Sequence, residues 1–358
     1  MKIGILTFHR ALNYGAVFQT YALQKTIQDL GAQVDIIDYR APFNEKRFRR
    51  KTLKDFLHFR ALYGLFFQNS CKIISRNTYQ SFNDRMKYSE TVDNHESLEK
   101  CCRQYDKIVC GSDQVWNLAC TEGDNAYFLP FVQEQEKKIA YAASFGYEVL
   151  PVQYVEKYKN WISNFAAVSV REPSGVSIVN KLTGANAEYV VDPTLLIAKS
   201  QWESLADFSR VPEQPYLLLY LMSEDRLLIN FARKFARKNH LKLTYISERL
   251  FPMSGVKNLR DVTPEQWLGL FSKADYIVTN SFHGTAFSIN FEKPFFLRYI
   301  PRSIANTRLQ SIIKEYDLEM RTIESWDGSE CDFTMAQKQL LRNKQLSIQF
   351  IKDRIISE

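Results

Sequence analysis

The chain has 358 residues, of which 45% are hydrophobic and 14% aromatic, a length and composition typical of two folded domains with sizeable cores. Charged residues make up 24%, which is ordinary for a soluble protein and excludes a disordered or collagen-like chain. The net charge of +7 suits an anionic substrate or an anionic membrane surface and is too small to indicate a nucleic-acid-binding protein.

The apolar runs and the spacing of cysteine and histidine indicate the cellular compartment and whether the protein binds a metal. No apolar run reaches the roughly 18 residues of a membrane-spanning helix, and the apolar opening of the chain is too short for a secretory signal. We therefore expect a cytoplasmic protein. The six cysteines lack Cys-x-x-Cys spacing and the five histidines are scattered, so we expect reduced thiols, no structural metal and no cofactor.

The first forty residues predict a β-α-β unit. Residues 3–8 form an apolar run with β-branched members, residues 16–30 carry apolar side chains at helical spacing up to Gly31, and residues 34–37 form a second apolar run. These patterns predict strand, helix and strand. Such a unit implies a parallel sheet.

Residues 43–100 differ from the rest, because they are rich in Lys, Arg and Phe. Their helical spacing predicts a helical insertion in the first domain, without a strand. Within it, residues 46–66 alternate basic and apolar side chains. That stretch fits a peripheral contact with the inner face of an anionic membrane. The commoner alternative is a solvated helical face above a buried apolar stripe.

Strand and helix patterns alternate again after residue 100. Strands are predicted at 105–110, 138–144, 167–170 and 187–191, with helices starting near 113 and at 151–165 and 174–182. A segment with three prolines follows, at 192–215. A second series then predicts strands at 216–221, 242–246, 274–279 and 295–297 and helices at 225–239, after 263 and at 284–291. The helix after Thr263 starts with a capping box, and a last helix is predicted at about 335–356.

The predicted fold class is α/β, with two Rossmann-like open-sheet domains that face each other across a cleft. We assign residues 1–200 to the first domain, 201–330 to the second, and 331–358 to a C-terminal helix that packs back on the first. In open α/β sheets, ligands bind beyond the carboxyl ends of the strands. Polar residues at those ends are therefore the candidates for chemistry.

The strongest candidate is the segment 279–286, which follows a predicted strand and opens a helix. Ser281, Gly284 and Thr285 leave backbone N–H groups that favour an anion at the helix N-terminus. His283 stands beside that field and could donate a proton or a hydrogen bond to the anion. The alternative is that Ser281 is only an N-cap and His283 only a turn residue.

Two more strand ends carry polar side chains. Arg171 ends the 167–170 strand, where its guanidinium could bind a carboxylate or phosphate through two hydrogen bonds, unless it only pairs with Glu172 at the surface. Asp113 follows the 105–110 strand and could be a general base, an acceptor ligand or a helix N-cap. Trp116, in the same loop, offers a ring on which a sugar could stack, or it belongs to the core.

The first loop is a fourth candidate. The sequence Asn13-Tyr14-Gly15 precedes the first long helix, so its amides face the predicted cleft. His9 and Asn13 could contact a hydroxyl of an acceptor, and a purely structural role is the alternative.

Together these motifs resemble those of the polysaccharide pyruvyl transferase family. The resemblance is carried by the segments 281–286, 169–174 and 111–117, and the 13–16 loop is similar to the first loop of the family. It spans about residues 3–320. It implies a fold like that of the GT-B glycosyltransferases and the transfer of a pyruvyl group from phosphoenolpyruvate to a sugar hydroxyl pair, as a cyclic ketal, in cell-surface or exopolysaccharide biosynthesis.

The resemblance also implies roles for particular residues. His283 takes the place of the family histidine, as acid or phosphate ligand, and Arg171 that of the arginine that holds the donor. The reaction also needs a base, for which Asp113 is the candidate. The expected donor ligands are Ser281, His283, Gly284, Thr285, Arg171 and Ser144. The expected acceptor contacts are His9, Asn13, Tyr14, Gln114 and Trp116. No metal is demanded, and the acceptor could be a lipid-linked oligosaccharide.

One position departs from the family pattern, and two other functions stay open. Many members have Asn-x-Gly-Asp in the first loop, whereas here Ala16 follows Gly15, which removes an acidic contact and leaves the acceptor open. One alternative is a nucleotide-sugar glycosyltransferase on the same scaffold, for which Glu292 is the candidate to hold a ribose. The other is a non-catalytic glycan-binding protein, which would tolerate the loss of His283.

Overall fold

Two parallel β-sheets organise the chain. The computed structural model describes residues 1–43, 77–247, 252–300 and 306–357. The first sheet contains β1 (Lys2–Leu6), β2 (Gln33–Tyr39), β3 (Tyr88–Val92), β4 (Lys107–Cys110), β5 (Lys138–Ala143), β6 (Ala167–Val170) and β7 (Glu188–Tyr189). These strands lie in the order β3-β2-β1-β4-β5-β6-β7. All neighbours are parallel, so their carboxyl ends share one edge.

Helices connect these strands and cover both faces of the first sheet. They are Tyr14–Asp29, Asn77–Asn83, His95–Cys102, Val155–Ile162 and Pro173–Thr183. The first begins where the Asn13 side chain accepts a hydrogen bond from the amide of Ala16, at 3.2 Å, an N-cap of the usual kind. We call this sheet with its helices the first lobe.

The predicted helical insertion is wrong in part. Residues 44–76, including the stretch 46–66 for which a membrane contact was predicted, lie outside the described residues. Residues Tyr88–Val92, however, form an edge strand of the first sheet. Only one of its five residues is buried, so the strand lacks the alternating apolar pattern that identifies strands in a sequence.

The helix predicted to start near residue 113 is also absent, because turns occupy residues 112–123. Asp113 has a positive φ of 75°, which no α-helical residue adopts. Its backbone instead forms an isolated parallel bridge with Ala143 of the neighbouring strand. The loop is therefore held against β5 rather than wound into a helix.

The second sheet is smaller. It contains β8 (Tyr216–Tyr220), β9 (Lys242–Ile246), β10 (Lys257–Leu259), β11 (Tyr276–Thr279) and β12 (Phe295–Leu297), in the order β10-β9-β8-β11-β12. The helices around it are Arg226–Lys238, Pro264–Lys273, Phe282–Asn290 and Asn306–Glu315. The predicted capping box is confirmed, since Thr263 and Gln266 cap each other's backbone amides. We call this sheet with its helices the second lobe.

An aromatic cluster joins the two lobes. Tyr14 and Phe18 of the first helix lie 5.7 and 5.2 Å from the ring of Trp267 in the second lobe. Phe18 also lies 5.2 Å from Phe287. The hydroxyl of Tyr14 donates a 2.6 Å hydrogen bond to the carbonyl of Val262. The first helix is thus part of the core of the second lobe.

The segment between the sheets and the C-terminus completes the architecture. Helices Pro193–Leu196 and Lys199–Ser204 follow β7, and the final helix is Thr334–Phe350, continued by a π-helical turn at Ile351–Ile356. Phe350, Ile351 and Ile355 share an apolar cluster with Ile3 and Ile5 of β1. The end of the final helix and the turn after it therefore pack on the first sheet, whereas Ala336 and Leu340 pack in the cluster that contains Trp267. The predicted boundary between the domains at residue 201 stays a prediction.

Candidate active site

The predicted histidine and arginine meet where the two sheets face each other. Arg171 directly follows β6 of the first sheet, and His283 is the second residue of the helix that follows β11 of the second sheet. Both lie at carboxyl edges of their sheets, as expected for a ligand site in open α/β folds. Their side chains are only 0% and 9% exposed, so whatever they bind is largely withdrawn from water.

Arg171 is held by two carboxylates. Its Nη1 donates to Asp192 at 2.5 Å and its Nη2 to Asp113 at 2.9 Å. Burial disfavours the charged guanidinium, but Asp192, Asp113 and Glu172 together outweigh burial and raise the pKa of Arg171. The two Nη atoms that were expected to hold a donor are therefore already paired with carboxylates. The Nε atom of Arg171 lies 3.8 Å from a Glu172 oxygen and has no hydrogen bond among the described residues.

Asp192 is a site residue that the sequence analysis missed. Its position before Pro193, at the start of the segment 192–215, gives no local signal of a site. Its carboxylate is fully buried and accepts hydrogen bonds from Arg171, Ser112 and the amide and hydroxyl of Thr194. Burial raises its pKa, but His283 and Arg171 outweigh burial and hold the pKa of Asp192 well below its usual range.

His283 lies against the first helix of the other lobe. A Cβ atom on Gly15 would stand 1.9 Å from His283 Nδ1, so only glycine fits at that position. On the other side of the ring, Nε2 is 3.8 Å from Asp192 and has no hydrogen-bond partner among the described residues. The imidazole is thus fixed by contacts from both lobes, with one nitrogen still available.

The start of the His283 helix differs from the expected anion cradle. The amide of Gly284 donates to the Ser281 hydroxyl at 3.2 Å, and that of Thr285 donates to the Ser281 carbonyl at 3.0 Å. Contrary to the expectation, these two amides are used by the N-cap and by the helix itself. The Thr285 hydroxyl is buried without a hydrogen-bond partner in the described part of the chain and is one group of this segment that a ligand could bind.

A second arginine, Arg308, completes the cationic side of the site. It belongs to the helix Asn306–Glu315, which the sequence analysis did not predict. The guanidinium carbons of Arg171 and Arg308 lie 4.7 and 5.8 Å from the centre of the Phe282 ring, within cation–π range. Burial, and then the charge of Arg171, lower the pKa of Arg308, and its Nε has no partner in the described residues.

Glu172 is the third residue that sequence reasoning placed elsewhere, as a surface partner of Arg171. It is buried, and one of its oxygens accepts a 2.6 Å hydrogen bond from Ser144. Ser144 was expected to bind the donor, but its hydroxyl is committed to Glu172. Burial raises the pKa of Glu172 despite the nearby Arg171.

The pKa of Asp113 is shifted in the opposite direction. Burial alone would raise it, but the charges of Arg171, His283 and Arg308 together lower it.

The expected acceptor residues are mostly engaged in structure. His9 is buried, with one ring nitrogen 2.9 Å from Asp38 and the other 3.1 Å from the carbonyl of Thr7. Asn13 caps the first helix, and Tyr14 is buried in the aromatic cluster between the lobes. These contacts of the three side chains are structural, and the predicted role of the three residues in binding an acceptor stays a prediction.

Trp116 and Gln114 show the same pattern. Trp116 is 0% exposed and packs between Phe128, Phe145 and Phe165 at 5.2 to 5.6 Å. The prediction of a sugar-stacking ring is therefore wrong, because both faces are covered. Gln114 accepts a hydrogen bond from Asn117 at 2.9 Å and lies beside Gly146.

The described residues were also searched for membrane-spanning helices and for metal sites. No helix in them is both long and apolar enough to cross a membrane. Nor do they contain a group of three or more His, Cys, Asp or Glu side chains arranged to hold a metal ion.

The chain is similar to a known protein family and to several solved structures. The family model described as polysaccharide pyruvyl transferase matches residues 13–299. A search of curated proteins found no match. Among solved structures, a protein from Listeria monocytogenes assigned as a UDP-N-acetylglucosamine 2-epimerase has a TM-score of 0.51 at 9% identity, covering 98% of this chain and 91% of that one.

Two other solved structures are similar over nearly their whole length. One is the UDP-GlcNAc 2-epimerase from Neisseria meningitidis bound to UDP-GlcNAc, with a TM-score of 0.46, 10% identity and coverage of 97% of this chain and 100% of that one. The other is a glycosyltransferase from Streptomyces sp. SF2575 complexed with thymidine diphosphate, with a TM-score of 0.46, 10% identity and coverage of 98% and 99%. At these identities the likeness concerns the fold alone, and the predicted GT-B-like class is confirmed.

Proposed function

Because the chain belongs to the polysaccharide pyruvyl transferase family, we propose that it moves the pyruvyl group of phosphoenolpyruvate onto two hydroxyls of a sugar, as a cyclic ketal. The family is one of transferases, and the fold is that of nucleotide-sugar enzymes. The proposal names phosphoenolpyruvate as the donor and a ketal as the linkage formed. It also places the reaction in exopolysaccharide or other cell-surface glycan synthesis, at the cytoplasmic side of the membrane.

The observation that carries the proposal is a set of three unpaired nitrogen atoms in one buried cluster. Arg171 Nε, His283 Nε2 and Arg308 Nε are buried and have no hydrogen-bond partner in the described part of the chain. Leaving a buried donor unpaired costs about 1–3 kcal/mol, so the cluster favours a ligand that accepts hydrogen bonds. Phosphoenolpyruvate presents a phosphate and a carboxylate, which are two such groups on one small molecule.

The reaction needs a proton delivered to carbon. Protonation of the methylene carbon of phosphoenolpyruvate creates an oxocarbenium-like centre at the adjacent carbon, which one sugar hydroxyl attacks. Phosphate then leaves, and a second hydroxyl closes the ketal ring. Of the two hydroxyl protons, one replaces the proton that the acid gave to carbon and the other leaves on the phosphate. His283 is the proposed acid, because its imidazole is held between the two lobes and its Nε2, 3.8 Å from Asp192, has no hydrogen bond among the described residues. Arg171 and Arg308 stabilise the charge of the departing phosphate.

The carboxylates have different parts in this scheme. Asp192 orients Arg171 and His283 and is a positioning residue. Asp113, the base expected from the sequence, is ion-paired and has a lowered pKa, which makes it a weak base. Glu172 has a raised pKa and an oxygen without a partner among the described residues. Glu172 therefore fits the task of taking a hydroxyl proton better than Asp113 does.

The test pairs two histidines of the same lobe. Incubated with phosphoenolpyruvate and sugar acceptors, including lipid-linked oligosaccharides, the wild-type protein releases phosphate only when a suitable acceptor is present. His283→Asn abolishes that release because the acid is lost. The matched control is His240→Asn, an exposed residue with a positive φ of 56° that asparagine tolerates, and it keeps full activity. Full activity in His283→Asn would remove this residue from the mechanism.

Thermal-shift measurements separate the proposal from a nucleotide-sugar transferase. Phosphoenolpyruvate raises the melting temperature of the wild-type protein, because a ligand that binds only the folded state stabilises it. Glu292, the residue suggested for a ribose contact, is exposed and lies nine residues beyond His283 along the same helix and its C-cap, or about 13 Å at 1.5 Å per residue. Stabilisation by UDP-sugars alone would favour the glycosyltransferase alternative.

A further inference from the structure

The outer helix of the second lobe carries a strongly basic face. The helix Arg226–Lys238 contains five cations and no acidic residue. Its apolar side packs on the second sheet, where Leu228, Ala232 and Phe235 are buried. The cations, by contrast, are exposed; they are Arg226, Arg233, Lys234, Arg237 and Lys238. The exposed side of this helix is therefore positively charged at its first residue and over its last two turns.

A cavity of about 560 Å³ opens beside this helix. Its walls are mainly aromatic, formed by Phe231, Phe235, Tyr276, Phe296 and Trp326. Lys234, Lys238 and the buried Arg321 also line it, together with Glu330 as the acidic residue of the lining. The cavity thus has aromatic side chains next to cations. Such a lining suits a molecule with an apolar part, which the aromatic side chains can contact, and a phosphate, which the cations can contact.

Two apolar side chains extend the same surface. Leu227 is 58% exposed and Met222, just before the helix, is 40% exposed. Leu227 and Lys234 are seven residues apart, so they lie on the same face of the helix. A soluble polyanion would gain little from an exposed leucine and methionine, whereas a lipid surface accepts apolar side chains next to basic ones.

We propose that this basic face, defined as the exposed side of the helix Arg226–Lys238 with Met222 and the adjoining cavity, docks on an anionic phospholipid surface. The cations contact lipid phosphates, and the cavity accepts the apolar part of a lipid next to its phosphate. A second copy of the chain is disfavoured as the occupant, because two like faces carrying the same charge repel each other.

One end of the helix Arg226–Lys238 lies toward the candidate active site. The amide of Met222 donates a 2.8 Å hydrogen bond to Asn280, which lies three residues before His283 in the sequence. The N-terminal end of the basic face is thus at the edge of the cleft between the lobes. Lys234, Lys238 and the cavity lie about 12–18 Å farther along the helix, at 1.5 Å per residue. The docking itself does not depend on the proposed reaction.

Vesicle sedimentation tests the docking directly. The full chain is expected to bind vesicles of phosphatidylcholine with phosphatidylglycerol, to ignore vesicles of phosphatidylcholine alone, and to dissociate as salt rises. The double variant Lys234→Gln/Lys238→Gln weakens binding by about 25-fold, because each basic residue near an anionic surface contributes roughly fivefold. Leu227→Ser weakens the binding that remains at high salt.

The control removes the same charge elsewhere. Lys100 and Arg103 are exposed on or just after the helix His95–Cys102 of the first lobe, and Lys100→Gln/Arg103→Gln is expected to bind as the wild type does. Circular dichroism melting curves show that every variant is folded. The proposal is overturned if anionic vesicles are not bound, or if both double variants lose binding equally. It is also overturned if Lys234→Gln/Lys238→Gln binds normally, which would put any membrane contact elsewhere, for instance at residues 46–66.

Discussion

At the level of single residues, the buried positive charge of Arg171 is offset by the carboxylates of Asp192 and Asp113. Arg171 could be proposed from the sequence because an arginine at a strand end is recognisable. Its partner Asp192 could not, because the two are 21 residues apart and only the pairing of β6 with β7 brings them together. Arg308 was unpredictable for the same reason, since no local pattern indicates that its helix returns to the cleft.

The buried ion pair gives the first prediction. Asp192→Asn leaves Arg171 with one fewer compensating charge in a water-free environment, and we expect the free energy of unfolding to fall by about 3–5 kcal/mol. Urea denaturation measures this loss. The comparison is Asp29→Asn, which removes the partner of Lys25 in a solvent-exposed pair and should cost less than about 1 kcal/mol. Equal losses in the two variants would show that the buried pair is not what stabilises this edge.

The pKa shifts predict how stability depends on pH. The folded protein lowers the pKa of Asp113, so the stabilisation from this carboxylate is present above its unfolded pKa of about 4 and is lost as the pH falls through the lowered value. Glu172, whose pKa is raised, acts in the opposite sense and loses its contribution as the pH rises.

The measurement follows the free energy of unfolding in urea from about pH 5 downward, across the carboxyl range. We expect a steeper decline for the wild type than for Asp113→Asn, which retains a residue that tolerates the positive φ but does not titrate. Identical slopes for the two proteins would mean that the pKa of Asp113 is the same in the folded and unfolded states.

At the scale of elements, most helices and strands follow from periodicity. The patterns at 167–170, 242–246 and 295–297 gave strands with the bounds that the structure has, because each is a short run rich in β-branched or aromatic residues that a polar residue ends. The edge strand β3 and the turns after Asp113 were missed, since an exposed edge and a left-handed backbone leave no apolar period to detect.

The contact between two helix starts is decisive for the site at this scale. Gly15→Ala would place a methyl group 1.9 Å from His283 Nδ1, so the imidazole has to move and we expect turnover to fall at least about tenfold, the effect of roughly 1.4 kcal/mol on the barrier. Phosphate release measures this loss.

Gly184→Ala is the control for Gly15→Ala. Gly184 ends the helix Pro173–Thr183 with a φ of 69°, and a methyl group added there would meet no atom within 4 Å. Its replacement should cost about 1 kcal/mol of stability and leave turnover unchanged. If Gly15→Ala is as active as Gly184→Ala, the packing of Gly15 on His283 has no bearing on the reaction.

At the scale of the whole molecule, the lobes share one core. The cluster that contains Tyr14 and Phe18 also contains Trp267 and Phe287, so neither lobe can lose its structure without exposing aromatic surface of the other. The general architecture could be predicted from the two series of strands and helices. The shared core could not, because periodicity shows which face of a helix is apolar but not which sheet covers it.

This shared core predicts a single unfolding transition. Two lobes with separate cores would melt in two steps, whereas here we expect one step in which the calorimetric and van't Hoff enthalpies agree. Phe18→Ala should lower the stability by about 3–5 kcal/mol and shift that one transition as a whole. Two resolved transitions in the wild type would contradict a common core.

The central claim is that the buried cluster of His283, Arg171 and Arg308 binds phosphoenolpyruvate, and calorimetric titration of that compound tests it most directly. We predict saturable binding to the wild type and to His240→Asn, and binding at least about tenfold weaker in His283→Asn and Arg308→Met, since each loses a hydrogen bond to a charged group worth about 1.5–3 kcal/mol. Equal affinity in all four proteins, or no binding to any of them, would contradict the account.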